Sequence, residues 1–177
     1  FASALSRHPD AAQAMAEVVG RIRDQLGSQA PSVAMLFVAG AHIDALDAIV
    51  DTVDRLLEPA VLVGVTAGGV VGGAEEIESG DAISLWAGTG IDAVPMRLDA
   101  LPGQPPLIAG LPETLAPGST LVVVADPYTF PVDALVAELN QDHPGVGLVG
   151  GLASAPGGPE RNRIVLGSQV HLDGAAG

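Results

Sequence analysis

Two stretches of this chain follow one pattern 86 positions apart, and this repeat limits the folds that the chain can adopt. The positions that align without gaps are Ala39 with Ala125, Asp47-Ala48 with Asp133-Ala134, Val50 with Val136, Leu62-Val63-Gly64 with Leu148-Val149-Gly150, Ala67 with Ala153, and Gly88 with Gly174. Each copy predicts a strand, a helix, a second strand that runs into a small-residue turn, and another strand. A repeated unit of this kind builds one core from two halves.

The first copy shows the pattern most clearly. Residues 33–39 are a continuous apolar run, which is typical of a strand covered on both faces. Residues 43–57 have apolar residues at helical spacing and predict a helix, and residues 60–65 predict the next strand. A strand–helix–strand crossover makes the two strands parallel, so both end at the same edge of the sheet.

Further segments complete the prediction. A helix is predicted over about 10–26, and strands over 82–87 and 91–98. In the second copy, strands are predicted over 121–125, 146–149 and 164–172, a helix over 131–139 and a loop over 154–162.

We therefore expect an α/β fold in which a mixed β-sheet is built from two strand–helix–strand–strand repeats with flanking helices. The alternative is two stacked sheets in an αββα sandwich. One domain is expected over residues 1–177, with repeat 1 over about 33–98, a proline-rich connection over 99–119 and repeat 2 over about 120–177.

Composition excludes several classes of protein. The net charge is −14, with seven arginines and no lysine, which argues against binding to nucleic acid or to an anionic membrane surface. No apolar run reaches the roughly 18 residues of a membrane-spanning helix. The chain has no cysteine, so disulfides and thiolate zinc sites are excluded, and a cytoplasmic location is expected.

The two glycine-rich turns, at residues 66–69 and 150–154, are the candidate ligand site. In parallel α/β sheets, ligands bind outside the carboxyl ends of the strands, and glycine lets the backbone approach a ligand closely. Asp126 ends a strand at the same edge, where its carboxylate could bind an amine or hydrogen-bond its own turn. The predicted ligand-binding residues are Thr66, Ala67, Gly68, Gly69, Asp126, Gly150, Gly151 and Ser154. Close packing of the turns is the open alternative.

Other motifs are weaker. The GxGxxA pattern at 88–93 is followed by a proline and not by a helix, so it does not indicate a dinucleotide site. The Asp44, Asp47, Asp51 and Asp54 stripe predicts a solvated helix face. The histidines are widely spread, and no GxSxG motif supports a triad of Ser154 with His42 or His171. We therefore assign no catalytic residues, metal site or cofactor.

Four segments in this order resemble the amino-terminal half of the FIST domain (F-box and intracellular signal transduction proteins). The segments are 61–69, 121–127, 149–154 and 173–177. The resemblance implies a sensory module that binds small ligands such as amino acids, followed by a carboxyl-terminal companion domain that would complete any shared pocket. The family supplies no established catalytic residues.

We accordingly expect a small-ligand-binding sensory or regulatory domain in intracellular signal transduction. Its expected partners are a small molecule and its own carboxyl-terminal domain. Two alternatives stay open. One is an enzyme that uses Asp126 or Ser154, which requires a base in hydrogen-bond reach. The other is a protein-interaction scaffold, which requires an exposed apolar patch.

Overall fold

The computed structural model of the chain describes residues 1–177, which form three α-helices and thirteen β-strands. The helices are α1 (Ala11–Leu26), α2 (Leu46–Leu57) and α3 (Val132–Asp142). The strands are β1 (Ala2–Ser6), β2 (Val33–Ala39), β3 (Val61–Ala67), β4 (Val70–Gly72), β5 (Glu75–Ile77), β6 (Ala82–Gly88), β7 (Arg97–Leu101), β8 (Leu107–Ala109), β9 (Thr120–Ala125), β10 (Gly147–Leu152), β11 (Ile164–Leu166), β12 (Gln169–His171) and β13 (Ala175–Ala176). No helix combines the length and the apolar composition needed to span a membrane.

The strands form two large sheets and one small hairpin. The first sheet has the order β1-β6-β2-β3-β11-β12, and the second has the order β10-β9-β13-β7-β8. The hairpin pairs β4 with β5. Both large sheets are mixed, because β2 is parallel to β3 and antiparallel to β6, while β9 is parallel to β10 and antiparallel to β13. The expected α/β class is confirmed.

The two sheets stack, with helices on their outer faces. Helices α1 and α2 pack on the first sheet through the main hydrophobic core, and α3 packs on the second sheet through Leu135 and Leu139. Between the sheets, the β3 residues Val63 and Val65 pack with Val124 of β9 in one cluster. The architecture is thus the αββα sandwich that the sequence offered as the alternative to a single mixed sheet.

The parallel strand pair of each copy lies in a different sheet. The first copy contributes the parallel pair β2 and β3, and the second contributes β9 and β10. The registers differ by one residue, since Ala39 lies opposite Ala67 whereas Ala125 lies opposite Leu152. The two copies therefore share their strand–helix–strand elements but not the exact register of the paired strands.

The last strand of the second copy differs from the prediction. Residues 164–172 are not one strand but the hairpin of β11 and β12, because the chain reverses at Gly167, where φ is +57°. This hairpin joins the first sheet beside β3, and it is β13 that lies antiparallel to β9. As a result β3 is an internal strand, whereas its counterpart β10 is an open edge strand with half-exposed Val149 and Leu152.

The helices follow local signals in the sequence. The Asp10 side chain accepts a hydrogen bond from the main-chain N–H of Gln13 and caps α1, which ends at Gly27 with φ +65°. The predicted second helix begins as a 3-10 helix over Gly40–Ala45 before α2 starts. The four aspartates of the predicted stripe are exposed, as expected.

Several strands differ from the prediction. The strand expected over 91–98 is β7, which begins only at Arg97, and β1, β4, β5, β8 and β13 were not predicted. β1 pairs antiparallel with β6 at the edge of the first sheet. The acidic segment around Glu75 and Glu76 belongs to the β4–β5 hairpin, which packs on Leu5, Ala39 and Ala82. The hairpin directly follows the first glycine-rich segment.

Candidate functional site

The two predicted glycine-rich segments meet in the structure. The main-chain N–H of Ser154 donates to the carbonyl of Thr66 at 3.1 Å, and the N–H of Gly68 donates to the Ser154 Oγ at 3.2 Å. These contacts lie where β3 and β10 end, so they join the first sheet to the second. We call Thr66, Gly68, Asp126, Ser154 and Asn162 the sheet junction.

Thr66 links the sheet junction to residues 161–163, which precede β11, through hydrogen bonds. Its side chain is fully buried, and its Oγ1 accepts from the N–H of Arg163 at 2.9 Å and donates to the carbonyl of Arg161 at 3.3 Å. The main-chain N–H of Thr66 donates to the carbonyl of Arg163 at 3.1 Å. Every polar group of Thr66 thus has a partner within the protein.

Asp126 is a buried carboxylate held by neutral donors. Its side chain is 2% exposed, and its two oxygens accept from Asn162 Nδ2 at 2.7 Å and from Thr129 Oγ1 at 2.6 Å. Asn162 Oδ1 in turn accepts from the N–H of Ala155 at 3.0 Å, and Thr129 Oγ1 accepts from the N–H of Gly174 at 2.9 Å. Such charge-assisted hydrogen bonds offset the cost of burying the carboxylate.

The glycines of the junction are closely packed. A Cβ at Gly69 would lie 2.6 Å from the carbonyl oxygen of Ile77, and one at Gly68 would lie 3.1 Å from that of Ser154. A Cβ at Gly150 would run into the carbonyl of Val123, whereas Gly151 faces open space. At three of these four glycines the missing side chain makes room for neighbouring backbone. Ligand binding by the predicted residues stays a prediction.

The second segment also differs from a turn. Gly150 and Gly151 belong to β10, which continues to Leu152 in register with β9. They line a small cavity of about 230 Å³ between β10 and α3, whose other walls include Val132 and Leu135. Its lining is almost entirely apolar, which makes it part of the packing between the second sheet and α3.

A larger cavity of about 490 Å³ lies between the two sheets. We call it the inter-sheet cavity. It opens near Val33, Val61 and Thr120, the first residues of β2, β3 and β9, and therefore lies at the opposite end of the strands from the junction. Its lining consists of Val33, Met35, Val61, Val63, Trp86, Ile91, Asp92, Ala93, Val94, Met96, Pro112, Thr114, Leu115, Ala116, Ser119, Thr120, Leu121, Val122, Val146 and Gly177.

The chemistry of this cavity is apolar with a few polar groups. The first sheet contributes the aromatic ring of Trp86 and the thioether of Met35, and the connection between the repeats contributes Leu115. Asp92 is the only charged side chain in the lining, and no arginine or histidine is among the lining residues. The cavity can hold an apolar body whose polar end is neutral or positively charged.

The sequence did not indicate this cavity. Its walls come from alternate residues of β3, such as Val61 and Val63, which face the second sheet. Because β3 is apolar on both faces, no alternation separates these residues from the core below α2. The remaining walls come from β2, β6, β9, residues 91–96, the connection between the repeats, Val146 and Gly177. Segments this far apart in the sequence give no local signal of a shared cavity.

The candidate catalytic residues do not assemble. The partner of the Ser154 hydroxyl is the N–H of Gly68, and His42 Nε2 donates to the carbonyl of His8 at 2.9 Å. His171 Nε2 is buried without a hydrogen-bond partner. None of these groups is hydrogen-bonded to another or to Asp126, so no nucleophile with an adjacent base is formed.

Comparison with known proteins identifies relatives. A family model described as the FIST N domain matches residues 32–177. Two uncharacterized proteins, from Mycobacterium bovis and Mycobacterium tuberculosis, are each 36% identical over 172 residues, which cover 96% of this chain and 44% of the relative. A further uncharacterized M. tuberculosis protein is 34% identical over 176 residues, covering 98% of this chain and 45% of the relative. The chain thus spans less than half the length of these curated relatives. No solved structure matches it.

Proposed function

The chain belongs to the FIST N domain family, which is associated with sensory signal transduction, and we propose that it binds a small ligand within the inter-sheet cavity. The observation that carries this proposal is the cavity itself, whose volume of about 490 Å³ falls in the range of small-molecule sites. Its lining is mostly apolar with a few polar groups, as is usual for such sites. We further propose a cytoplasmic location, with which the absence of cysteine agrees.

The lining supports a particular class of ligand. A free amino acid would bring a carboxylate into a cavity whose one charged residue is Asp92, and an unpaired buried charge is costly. An amine or an alcohol with an apolar body avoids this cost, because Asp92 and the hydroxyls of Thr114 and Ser119 can accept its hydrogen bonds. Among metabolites related to amino acids, we therefore propose those that lack a free carboxylate.

The position of the cavity supports a sensory role. Its walls come from both sheets, with Met35 and Val63 on the first and Val122 on the second. The sheet junction fixes the two sheets at their other end through Thr66 and Ser154. A ligand in the cavity would hold the free ends of the sheets at one separation, and a change in that separation is a signal that an attached domain can read.

Trp86 allows a direct test, because it is the only tryptophan in the chain and it lines the cavity. The chain is titrated with a panel of small apolar amines and alcohols while Trp86 fluorescence and thermal unfolding are followed. A binding compound should change the fluorescence and, at 100 times its Kd, stabilise the fold by about 2.7 kcal/mol.

A matched pair of variants distinguishes cavity binding from surface binding. Val33→Phe places a larger side chain at a half-buried position in the cavity lining. Val71→Phe makes the same change at an exposed position on β4. Binding should be lost in the first variant and retained in the second. If no compound in the panel binds, or if binding survives Val33→Phe unchanged, the proposal is wrong.

A further inference from the structure

The second sheet contains an open strand position beside the inter-sheet cavity. β13 lies between two neighbours, with Ala175 opposite both Ala125 and Leu98. Gly177 then exchanges two hydrogen bonds with Met96, at 2.7 and 2.9 Å. β9 extends past this point to Thr120, but β13 pairs with it only at Ala125 and Val124. On that side of β9, the part from Thr120 to Val122 has no paired strand.

The backbone groups along this opening point into it. The N–H of Asp126 donates to the carbonyl of Gly174, so even-numbered residues of β9 present their backbone groups toward β13. By the same alternation, Val122 and Thr120 present theirs to the opening. A Cβ on Gly177 would run into the carbonyl of Val122, which confirms that this carbonyl points toward the line of β13.

The opposite side of the opening is complementary. Met96 and Gly177 form a hydrogen-bonded pair just before β7. If a strand added beyond Gly177 extends this pairing, the next residue to present its backbone groups to the opening is Val94. Pro95, which has no N–H to donate, falls on the residue between, whose backbone faces away. β13 itself fits between β9 and β7, so the opening that continues it is one strand wide.

Apolar surface accompanies these unpaired backbone groups. Val122 is 37% exposed and Val94 is 74% exposed, and both line the inter-sheet cavity. Successive side chains of a strand point to opposite faces of a sheet. A strand in the opening would therefore direct every second side chain into the cavity and cover these valines, so apolar residues are required at those positions.

We propose that an extended segment of polypeptide adds to the second sheet in this opening, antiparallel to β9 and in line with β13. In the longer members of the family, the segment is the chain that continues from the position of Gly177, because that residue already lies in line with the opening. The relatives are long enough to supply it, since the aligned region covers 44 to 45% of their length. The added strand closes the cavity on the side of the second sheet. The proposal does not depend on ligand binding.

The test uses hydrogen exchange at individual amides, measured without ligand. The chain is extended by the twelve residues that follow the aligned region in the M. bovis relative, and it is compared with the chain of 177 residues. Paired strand amides exchange more slowly than open ones, so the amides of Val122, Thr120 and Val94 should slow at least tenfold. The amides at the open edge of β10 serve as the control and should not change.

The control extension has the same sequence except for proline at the two positions predicted to face Val122 and Thr120, because proline has no N–H to donate. It should give no protection. If the extended chain does not fold, the same twelve residues are added as a peptide and the same amides are measured. Unchanged exchange at Val122 and Thr120, or protection confined to β10, would overturn the proposal. Ligand titration of the two chains through Trp86 is a separate experiment, so either proposal can fail alone.

Discussion

Gly68 and Ser154 are hydrogen-bonded to each other, and they are equivalent positions of the internal repeat, 86 residues apart. The contact lies at the sheet junction, where the carboxyl ends of β3 and β10 meet, and it joins the first copy to the second.

The first prediction concerns this contact. Ser154→Ala removes the hydroxyl that accepts the hydrogen bond from Gly68, so the free energy of unfolding should fall by about 0.5–1.5 kcal/mol. Urea denaturation followed by circular dichroism measures the change. Ser168→Ala, in the exposed turn between β11 and β12, is the matched control and should have little effect. Equal stability of the two variants would show that the contact does not stabilise the junction.

The second prediction concerns the buried carboxylate. Asp126→Asn replaces an accepting oxygen with an NH2 group that faces either Asn162 Nδ2 or the Thr129 hydroxyl, both of which are donors to the aspartate. The loss of stability should be about 1–3 kcal/mol or more, since a buried donor is left without a partner. Asp133→Asn, at an exposed position on α3, is the control. A loss no larger than that of the control would contradict the role given to this network.

The third prediction concerns the turn before β13. Gly174 has φ +69°, and a Cβ there would collide with the guanidinium of Arg97, which binds Asp173 at 2.6 Å and Asp99 at 2.8 Å. Gly174→Ala should therefore cost both the penalty of a positive φ, about 1–2 kcal/mol, and the steric penalty, about 1–3 kcal/mol.

Gly90→Ala separates the two contributions. Gly90 has φ +71° but faces open space, so its replacement should cost only the backbone penalty. Thermal unfolding of both variants gives the comparison. If the two alanine variants unfold at the same temperature, Arg97 does not restrict the position of Gly174.

The fourth prediction follows from charge. With a net charge of −14 and 21 acidic residues, the folded chain repels itself, and added salt screens this repulsion. The melting temperature should therefore rise when sodium chloride is increased from about 0.01 to 0.5 M, over which the Debye length falls from roughly 30 Å to a few ångströms. A melting temperature that falls with salt would mean that ion pairs such as Arg161–Asp44 outweigh the repulsion.

The strand–helix–strand part of each copy could be predicted because it is local. The apolar run at 33–39 and the amphipathic pattern at 43–57 need only neighbouring residues to be interpreted, and both elements are present. Their parallel pairing follows from the crossover rule. The sequence predicted one ligand site from both glycine-rich segments, and these segments do lie together, but the hydrogen bond between Ser154 and Thr66 was not predicted.

The rest depends on contacts between distant segments. The β11–β12 hairpin crosses to the sheet of the other copy, a choice that no local pattern records. Gly150 and Gly151 suggested a turn, yet they extend β10, and a Cβ on Gly150 would run into the carbonyl of Val123 on the neighbouring strand. The inter-sheet cavity depends on the stacking of two sheets, which the sequence left open.

The methionines provide the most direct test of the central claim, that the ligand binds between the sheets. Of the three methionines, Met35 and Met96 line the cavity, while Met15 is buried in the core under α1. The chain is labelled with ¹³C at the methionine methyl groups and titrated with a compound that stabilises it. The account predicts that the Met35 and Met96 signals shift with one common Kd while Met15 stays in place. A saturating compound that leaves Met35 and Met96 unmoved would contradict it.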